Sequence, residues 1–245
     1  MSATPANAIF AAIEASVAMA IEDGSEPLVV FDLDGTLYDN SVRTLRIIQE
    51  FAAAHVLEFP DLVGQVAAMR PCDIAYRLAD SLAVAGVKDQ AVLDRLQAYW
   101  GDRFFTDSYV VQDLPVAGSA RFVSALYELG AIPVYLTGRD APNMLLGTIG
   151  ALQRDGFPVG TVDTRIILKD RFERADLEYK RSVIDHLKRT GQVVGAFDNE
   201  PGLCNLFKEA FPGAQVVWLD TSHAPGAPEL RSDVTQVYDF MSLIP

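Results

Sequence analysis

The chain has 245 residues, half of them apolar, and a formal net charge of −13 at pH 7. This length suits one large domain, or a core domain with a smaller insert. Such an acidic surface repels nucleic acid and anionic membranes, and we therefore expect neither as a partner. An anionic substrate must be held by local groups. The sequence has no run of about 18 apolar residues, which argues against a spanning helix.

Residues 1–24 predict a helix that docks on a core. Four apolar residues lie about one turn apart: Ile9, Ile13, Val17 and Ile21. The segment has no basic start and Glu14 interrupts its apolar run, which argues against a signal peptide. Cys72 and Cys204 are far apart and form no CxxC spacing, as is usual in a reducing compartment. These features predict a cytoplasmic protein.

Five short apolar runs predict buried strands: residues 28–33, 132–137, 164–169, 193–198 and 215–220. Four of them lack clean alternation of apolar and polar residues, which is typical of strands covered on both faces in a parallel sheet. Helical periodicity separates most of them, at residues 118–130, 178–190 and 200–211. The pattern predicts an α/β fold, a parallel sheet with helices on both faces.

Residues 41–110 interrupt this alternation. They contain no strand-like run and consist of helical patterns, with Pro60 and Pro71 at plausible breaks. The sequence therefore predicts a core domain built from residues 1–40 and 111–245, with a helical insert at 41–110 placed after the first strand.

Polar residues follow three of the predicted strands: Asp32 and Asp34, then Thr137, Gly138 and Arg139, then Asp198, Asn199 and Glu200. In an open parallel sheet, ligands bind beyond the carboxyl ends of the strands. We therefore expect these residues to meet at one edge of the sheet. The concentrated carboxylates require a cation, and Mg²⁺ fits because it binds through one or two carboxylates and keeps waters for a phosphate substrate.

Four motifs in order carry a family resemblance. DLDGTLYDN at 32–40 resembles the first motif of the haloacid dehalogenase-like (HAD) superfamily, LTGR at 136–139 its second, a lysine at a helix start its third, and FDNEP at 197–201 its fourth. The similarity runs from about residue 28 to 220. It implies a Rossmann-like core, and it implies that residues 41–110 form an α-helical cap. Such a cap would close over the site, hinged near 38–41 and 110–116.

The resemblance also implies roles for the first two motifs. Asp32 would be the nucleophile that forms an aspartyl phosphate. Asp34 would protonate the leaving oxygen and then deprotonate water. Thr137 would donate its hydroxyl to a phosphoryl oxygen, beside the Gly138 amide, and Arg139 is a further candidate substrate contact. Asp140 is a candidate cap for a helix that starts near Ala141.

The third and fourth motifs supply the remaining site residues. Lys180 would clamp the nucleophile and the phosphoryl charge, with Lys169 as its rival. The implied Mg²⁺ ligands are the side chains of Asp32 and Asp198 and the backbone carbonyl of Asp34. Asn199 could orient a metal-bound water, and Glu200 could lie behind the ligands or favour the start of the next helix.

The resulting hypothesis is a Mg²⁺-dependent phosphatase that acts on a small phosphorylated metabolite. The superfamily's dehalogenases and phosphonate hydrolases lack an acid at the position of Asp34, which argues against both. A phosphomutase keeps both aspartates and stays open as an alternative, as does a catalytically silent scaffold on the same fold. The oligomeric state and the identity of the substrate are not predicted.

Overall fold

The computed structural model describes residues 6–244 of the chain. Its strands are β1 (Pro27–Phe31), β2 (Tyr38–Asp39), β3 (Leu114–Pro115), β4 (Ile132–Asp140), β5 (Arg165–Lys169), β6 (Gln192–Asp198), β7 (Gln215–Leu219) and β8 (Thr235–Val237). Its α-helices are α1 (Ala6–Glu22), α2 (Ser41–Ala54), α3 (Pro60–Val66), α4 (Leu78–Val84), α5 (Gln90–Phe104), α6 (Asp107–Val110), α7 (Ser119–Glu128), α8 (Ala141–Arg154), α9 (Asp176–Thr190) and α10 (Pro201–Ala210). None of these helices combines the length and the apolar character needed to cross a membrane.

Six strands form one parallel sheet in the order β5-β4-β1-β6-β7-β8. All five residues of the central strand β1 are buried, as expected for a strand covered on both faces. The α/β fold with a parallel sheet is confirmed, and each of the five predicted strands is present. The edge strand β8 was missed because three residues are too short to give a periodic pattern.

Helix α1 packs against the sheet, as the N-terminal pattern predicts. Ile9, Ile13 and Val17 are buried. Ile21 is 51% exposed, so its inclusion in the docking face was wrong. A helix turns about 100° per residue, so a strict four-residue spacing drifts around the helix and leaves the buried face after three turns. Residues 1–5 of the predicted segment lie outside the described part of the chain.

Residues 41–110 are helical and have an apolar core of their own. That core draws on α2, α3, α4 and α5 and contains the buried side chains of Ile48, Phe51, Leu82 and Leu96. The aromatic residues near the end of α5 also pack on each other, with the Trp100 and Phe104 rings stacked at 4.3 Å. This organisation fits the predicted cap, and its behaviour as a separate domain stays a prediction.

The two segments that connect this helical region to the sheet pair with each other. Strands β2 and β3 are antiparallel, with Tyr38 opposite Pro115 and Asp39 opposite Leu114. On the return side, α6 already contacts the core helix α8. The amide of Gly147 donates to Asp107 Oδ1 at 2.6 Å. The returning chain therefore reaches the core at Asp107, a few residues before the boundary predicted at 111.

The contact between α6 and α8 depends on a glycine. A Cβ added at Gly147 would lie 2.4 Å from the backbone oxygen of Asp107, so one helix would have to shift. On the same helix, a Cβ at Gly150 would meet no atom within 4 Å.

We therefore expect Gly147→Ala to lower the melting temperature, since small-to-large changes in packed contacts typically cost about 1–3 kcal/mol. The control Gly150→Ala should raise it, because alanine is favoured over glycine in a helix interior by roughly 1 kcal/mol. Thermal unfolding of the two variants under identical conditions is the measurement. Equal shifts of the same sign would contradict the close approach at Gly147.

Candidate active site

The chain turns sharply after β1 and places Asp32 and Asp34 at the edge of the sheet. The amide of Asp32 still donates to Phe197 of the neighbouring strand β6, at 3.0 Å. Gly35 then has φ of +79° and donates to the Tyr38 carbonyl at 2.8 Å. A Cβ at Gly35 would lie 2.4 Å from Asn199 Nδ2, so both the conformation and the contact require glycine here.

Lys180 lies between two carboxylates from different strands. Its Nζ donates to Asp32 Oδ1 at 2.6 Å and to Asp198 Oδ2 at 2.8 Å. All three side chains are buried. Strands β1 and β6 are neighbours in the sheet, which is why residues so distant in sequence meet. Two carboxylates share one ammonium, so this group carries one negative charge in excess.

Burial and this excess charge set the proton affinities. Burial raises the pKa of Asp32 to about 7, and the attraction of Lys180 offsets only part of that rise. Burial alone would lower the pKa of Lys180, but the carboxylates of Asp198 and Asp32 hold it above its usual range. The lysine is thus a firm cation, and Asp32 is the carboxylate that lacks full compensation.

The rival lysine occupies a different place. Lys169 Nζ donates to the carbonyls of Phe172 and Arg174, at 3.2 and 3.0 Å, and to Asp176 Oδ1 at 2.9 Å. It therefore holds the loop between β5 and α9 in shape. Of the two candidates, only Lys180 contacts Asp32, so the geometry favours Lys180 for the third motif.

The second motif ends β4 and begins α8. The Thr137 side chain is buried, and its Oγ1 accepts a hydrogen bond from the Arg139 amide at 3.2 Å. Gly138 has the carboxylate of Asp176 against it, since an added Cβ would lie 2.3 Å from Asp176 Oδ2. Asp140 caps α8 by accepting from the Asn143 amide at 3.1 Å, so the predicted cap is confirmed.

Asp34 belongs to a second charged group, the arginine–aspartate cluster, which consists of Asp34, Arg43, Asp113 and Arg139. Arg139 donates to Asp34 through two nitrogens, at 2.7 and 2.9 Å. Arg43, from α2, donates to the same carboxylate at 2.6 Å. Asp113 accepts from Arg139 at 2.8 Å and lies 3.0 Å from Arg43. The cluster is neutral, with two positive and two negative groups.

The cluster affects the two aspartates in opposite directions. Burial would raise the pKa of Asp34, but Arg139 and Arg43 hold it well below its usual range. Burial raises the pKa of Asp113 to about 6 even though both arginines counteract the rise. Asp34 is therefore ionised at neutral pH in this arrangement.

The cluster also bears on one sequence-based expectation, which nothing here tests directly. Arg139 was expected as a substrate contact, but it is buried and donates to Asp34, Asp113 and Thr148. Its guanidinium supports Asp34 from within the protein, so this geometry gives no support to direct substrate binding. Asp113 was missed entirely, because a single acid in a connecting segment carries no motif.

The fourth motif is tied to its surroundings. Asn199 Oδ1 lies 3.4 Å from the hydroxyl of Thr36, and Nδ2 donates to the Ser222 carbonyl at 2.6 Å. Glu200 Oε1 accepts from the Ala224 amide at 3.0 Å, just ahead of α10. Both side chains thus hold the turn after β6 and the loop at 222–224 in place. These contacts use one of the two Nδ2 hydrogens of Asn199, and its predicted role in orienting a metal-bound water stays a prediction.

Two aromatic residues of the helical region are influenced by residues of the core. The Phe105 ring meets the Phe172 ring of the core edge-on, 4.8 Å apart. Burial raises the pKa of the Tyr76 phenol, and the negative charges of Glu200 and Asp176 add to that rise. No sequence signal distinguished Tyr76 from its neighbours.

The oxygen atoms at the strand ends suit Mg²⁺ better than a metal that needs many protein ligands. Among residues 6–244, no group of three or more His, Cys, Asp or Glu side chains is arranged to hold a metal ion. The available oxygens are those of Asp32 and Asp198 with the backbone carbonyl of Asp34. Asp32 Oδ1 faces Lys180, and Oδ2 has no hydrogen bond within the described chain. Two carboxylates and a carbonyl fit Mg²⁺, which takes few protein ligands, and the excess negative charge favours a cation.

Comparison with solved structures supports the fold alone, since all identities are low. A candidate phosphatase from Clostridium difficile is 17% identical, with 83% of this chain and 89% of that chain covered and a TM-score of 0.50. A candidate haloacid dehalogenase-like hydrolase from Bacteroides fragilis is 16% identical, with 89% and 100% covered and a TM-score of 0.50.

A class C acid phosphatase from Bacillus anthracis is 18% identical, with 82% of this chain covered and a TM-score of 0.43. The chain spans only 65% of the length of that protein. A search of curated proteins finds no match. The model of the haloacid dehalogenase-like hydrolases matches residues 27–200, which is well over half of the chain and includes the first three motifs and the fourth up to Glu200. The chain therefore belongs to the haloacid dehalogenase-like hydrolase family.

Proposed function

We propose that the protein is a Mg²⁺-dependent phosphatase that hydrolyses a small phosphorylated metabolite through an aspartyl phosphate. The observation that carries the proposal is the position of Lys180 between Asp32 and Asp198, with Asp34 two residues beyond Asp32. This arrangement gives a buried carboxylate nucleophile, a fixed cation beside it and a second acid within reach of the same phosphoryl group.

The proposed reaction has two steps. An oxygen of Asp32 attacks phosphorus and the bond to the leaving oxygen breaks, which forms an acyl phosphate on Asp32. Water then attacks that phosphorus, phosphate leaves, and the Asp32 carboxylate is restored. Lys180 stays charged throughout and stabilises the negative charge that develops on the phosphoryl oxygens. The hydroxyl of Thr137 and the amide of Gly138 are the proposed donors to those oxygens.

Asp34 is the proposed group that transfers a proton in both steps. Because the arginines keep Asp34 ionised, the proton for the leaving oxygen enters with the substrate, whose phosphate group has its second pKa near 6. Asp34 relays that proton to the leaving group in the first step and accepts one from water in the second. It then gives this proton to the departing phosphate, which restores the Asp34 carboxylate. An acid at this position is what the family's dehalogenases lack, and it favours phosphoryl transfer over dehalogenation.

Metal binding falls to the oxygens of Asp32 and Asp198 and the backbone carbonyl of Asp34. When bound, Mg²⁺ supplies positive charge for the transferring phosphoryl group. The protein's own part is to orient these oxygens. Asp198 is held for this by Lys180 and by the Glu200 amide, which donates to its Oδ1 at 3.0 Å.

Loss of the nucleophile or of its lysine should abolish turnover, whereas loss of the rival lysine should not. Asp32→Asn removes the covalent step, and because uncatalysed phosphate ester hydrolysis is extremely slow, activity should fall by many orders of magnitude. Lys180→Met should lose at least about 10²-fold in kcat. Lys169→Met is the matched control and should keep most of its turnover.

Phosphate release from a panel of phosphorylated metabolites, with Mg²⁺ and with excess chelator, is the measurement. Activity of Asp32→Asn close to that of the natural chain would contradict the nucleophile. Isomer formation without phosphate release would indicate a mutase instead.

Ligand binding should depend on metal, because the surface is acidic and the group around Asp32 carries excess negative charge. Phosphate, or a mimic such as tungstate, should raise the melting temperature only when Mg²⁺ is present. The measurement is thermal unfolding with each ligand alone and with both together. Stabilisation of equal size in excess chelator would show that the phosphate site forms without the metal.

The buried charge of Asp32 should also make metal-free stability depend on pH. Its pKa rises from 3.8 to about 7 on folding, so between these values the folded state binds more protons than the unfolded state. Stability contributed here is present below the lower value and is lost as pH rises toward 7. Asp32→Asn cannot ionise and escapes this loss.

In chelator, Asp32→Asn should therefore melt higher than the natural chain at about pH 8, and the gap should narrow toward about pH 5. Unfolding midpoints across this range are the measurement. A gap that is independent of pH would mean that Lys180 fully compensates Asp32.

A further inference from the structure

We propose that Arg43 and Asp113 are positioning residues for Asp34, and that they make its orientation depend on how the helical region sits on the core. The inference rests on the proposed phosphatase function, because it concerns the proton that Asp34 exchanges. Neither residue belongs to a family motif in this sequence. Both are fully buried, which is unusual for charged side chains and calls for a reason.

Arg43 is held from two sides before it reaches Asp34. It lies in the first turn of α2 and donates through Nη1 to the Phe104 carbonyl at the end of α5, at 2.8 Å. Its guanidinium carbon also lies 3.7 Å from the centre of the Phe104 ring. Its Nη2 then donates to Asp34 Oδ1 at 2.6 Å. One side chain thus joins two helices of the helical region to the proposed acid.

Asp113 orients both arginines at once. It lies in the segment that returns from α6 to β3, and its Oδ2 accepts from Arg139 Nη2 at 2.8 Å. Its Oδ1 lies 3.0 Å from Arg43 Nε, close enough for an ion pair although the two are not aligned for a hydrogen bond. Removing Asp113 would leave two arginines facing each other across a single carboxylate.

These contacts leave the two oxygens of Asp34 unequal. Oδ1 accepts from Arg43 and Arg139 and lies 3.4 Å from Asn40 Nδ2. Oδ2 accepts only from Arg139 Nε, at 2.7 Å. The Asp34 side chain is 28% exposed although both arginines are buried. Oδ2 is therefore the oxygen that can exchange a proton with a leaving group or with water.

The cluster joins four separate segments: the turn after β1 that carries Asp34, helix α2, the return segment at 113 and the end of β4. Buried ion pairs contribute little net stability compared with apolar packing, and their best-supported use is to fix one arrangement. The cluster therefore serves to orient the Asp34 side chain. Asp34 keeps its position only while the base of the helical region lies against the core.

The test compares two substrates that share a ring but differ in the basicity of the leaving group. The leaving group of p-nitrophenyl phosphate departs without a proton, whereas that of phenyl phosphate needs one. In Arg43→Gln and in Asp113→Asn, kcat for phenyl phosphate should fall at least tenfold more than kcat for p-nitrophenyl phosphate, with little change in KM. Arg43→Lys should recover part of the loss.

A matched control is Arg95→Gln, which removes another arginine–carboxylate pair of the helical region, the exposed pair with Glu58. It should leave the ratio of the two rates unchanged. Should a single variant fail to fold, Arg43→Gln combined with Asp113→Asn keeps the cluster neutral. That double variant should show the same selective loss.

Equal losses on both substrates, or no loss, in folded variants would overturn the positioning role and leave the cluster purely structural. A natural chain that releases phosphate from neither substrate nor from any member of the metabolite panel would overturn the proposed function itself. The two failures are therefore distinct.

Discussion

Asp32 and Asp198 share a single ammonium group, that of Lys180. The other features of this site follow from that shared contact. Carboxylates buried at strand ends are costly unless they are compensated. Here the compensating positive charge is that of Lys180 on α9, whose ammonium lies between the ends of two adjacent strands. The parallel order of the sheet makes this possible, since it places the carboxyl ends of β1 and β6 side by side. One negative charge remains in excess, and it is this excess that favours a divalent cation.

The arginine–aspartate cluster compensates its buried carboxylates in a different way. Arg43 and Arg139 balance Asp34 and Asp113 completely, so this half of the site needs no ion. The two aspartates of the first motif are thereby distinguished by their surroundings. Asp32 lies in the group with excess charge and Asp34 in the neutral one. Under the proposed function, these different surroundings would let two carboxylates that are two residues apart act as nucleophile and as proton carrier without exchanging roles.

The sequence predicted the parts of this structure that leave a periodic or local signal. The five main strands are apolar runs, and the aspartates, Thr137 and Lys180 fall at strand ends or helix starts in motif order. What it missed depends on three-dimensional contacts. Asp113 acquires its place only when α2, the return segment and β4 meet. Arg139 was assigned to the substrate because its motif position suggests phosphate, but position alone does not reveal that its side chain turns toward Asp34.

The basic side chains around the site already pair with carboxylates of the protein, and this limits how a phosphate can be recognised. Lys180, Arg43, Arg139 and Lys169 all donate to carboxylates of the protein. On a chain with a net charge of −13, these side chains are not free to attract a distant anion. Attraction must then come from backbone amides such as that of Gly138 and from a bound cation. Under the proposed function, discrimination among leaving groups would fall to the residues of the predicted cap.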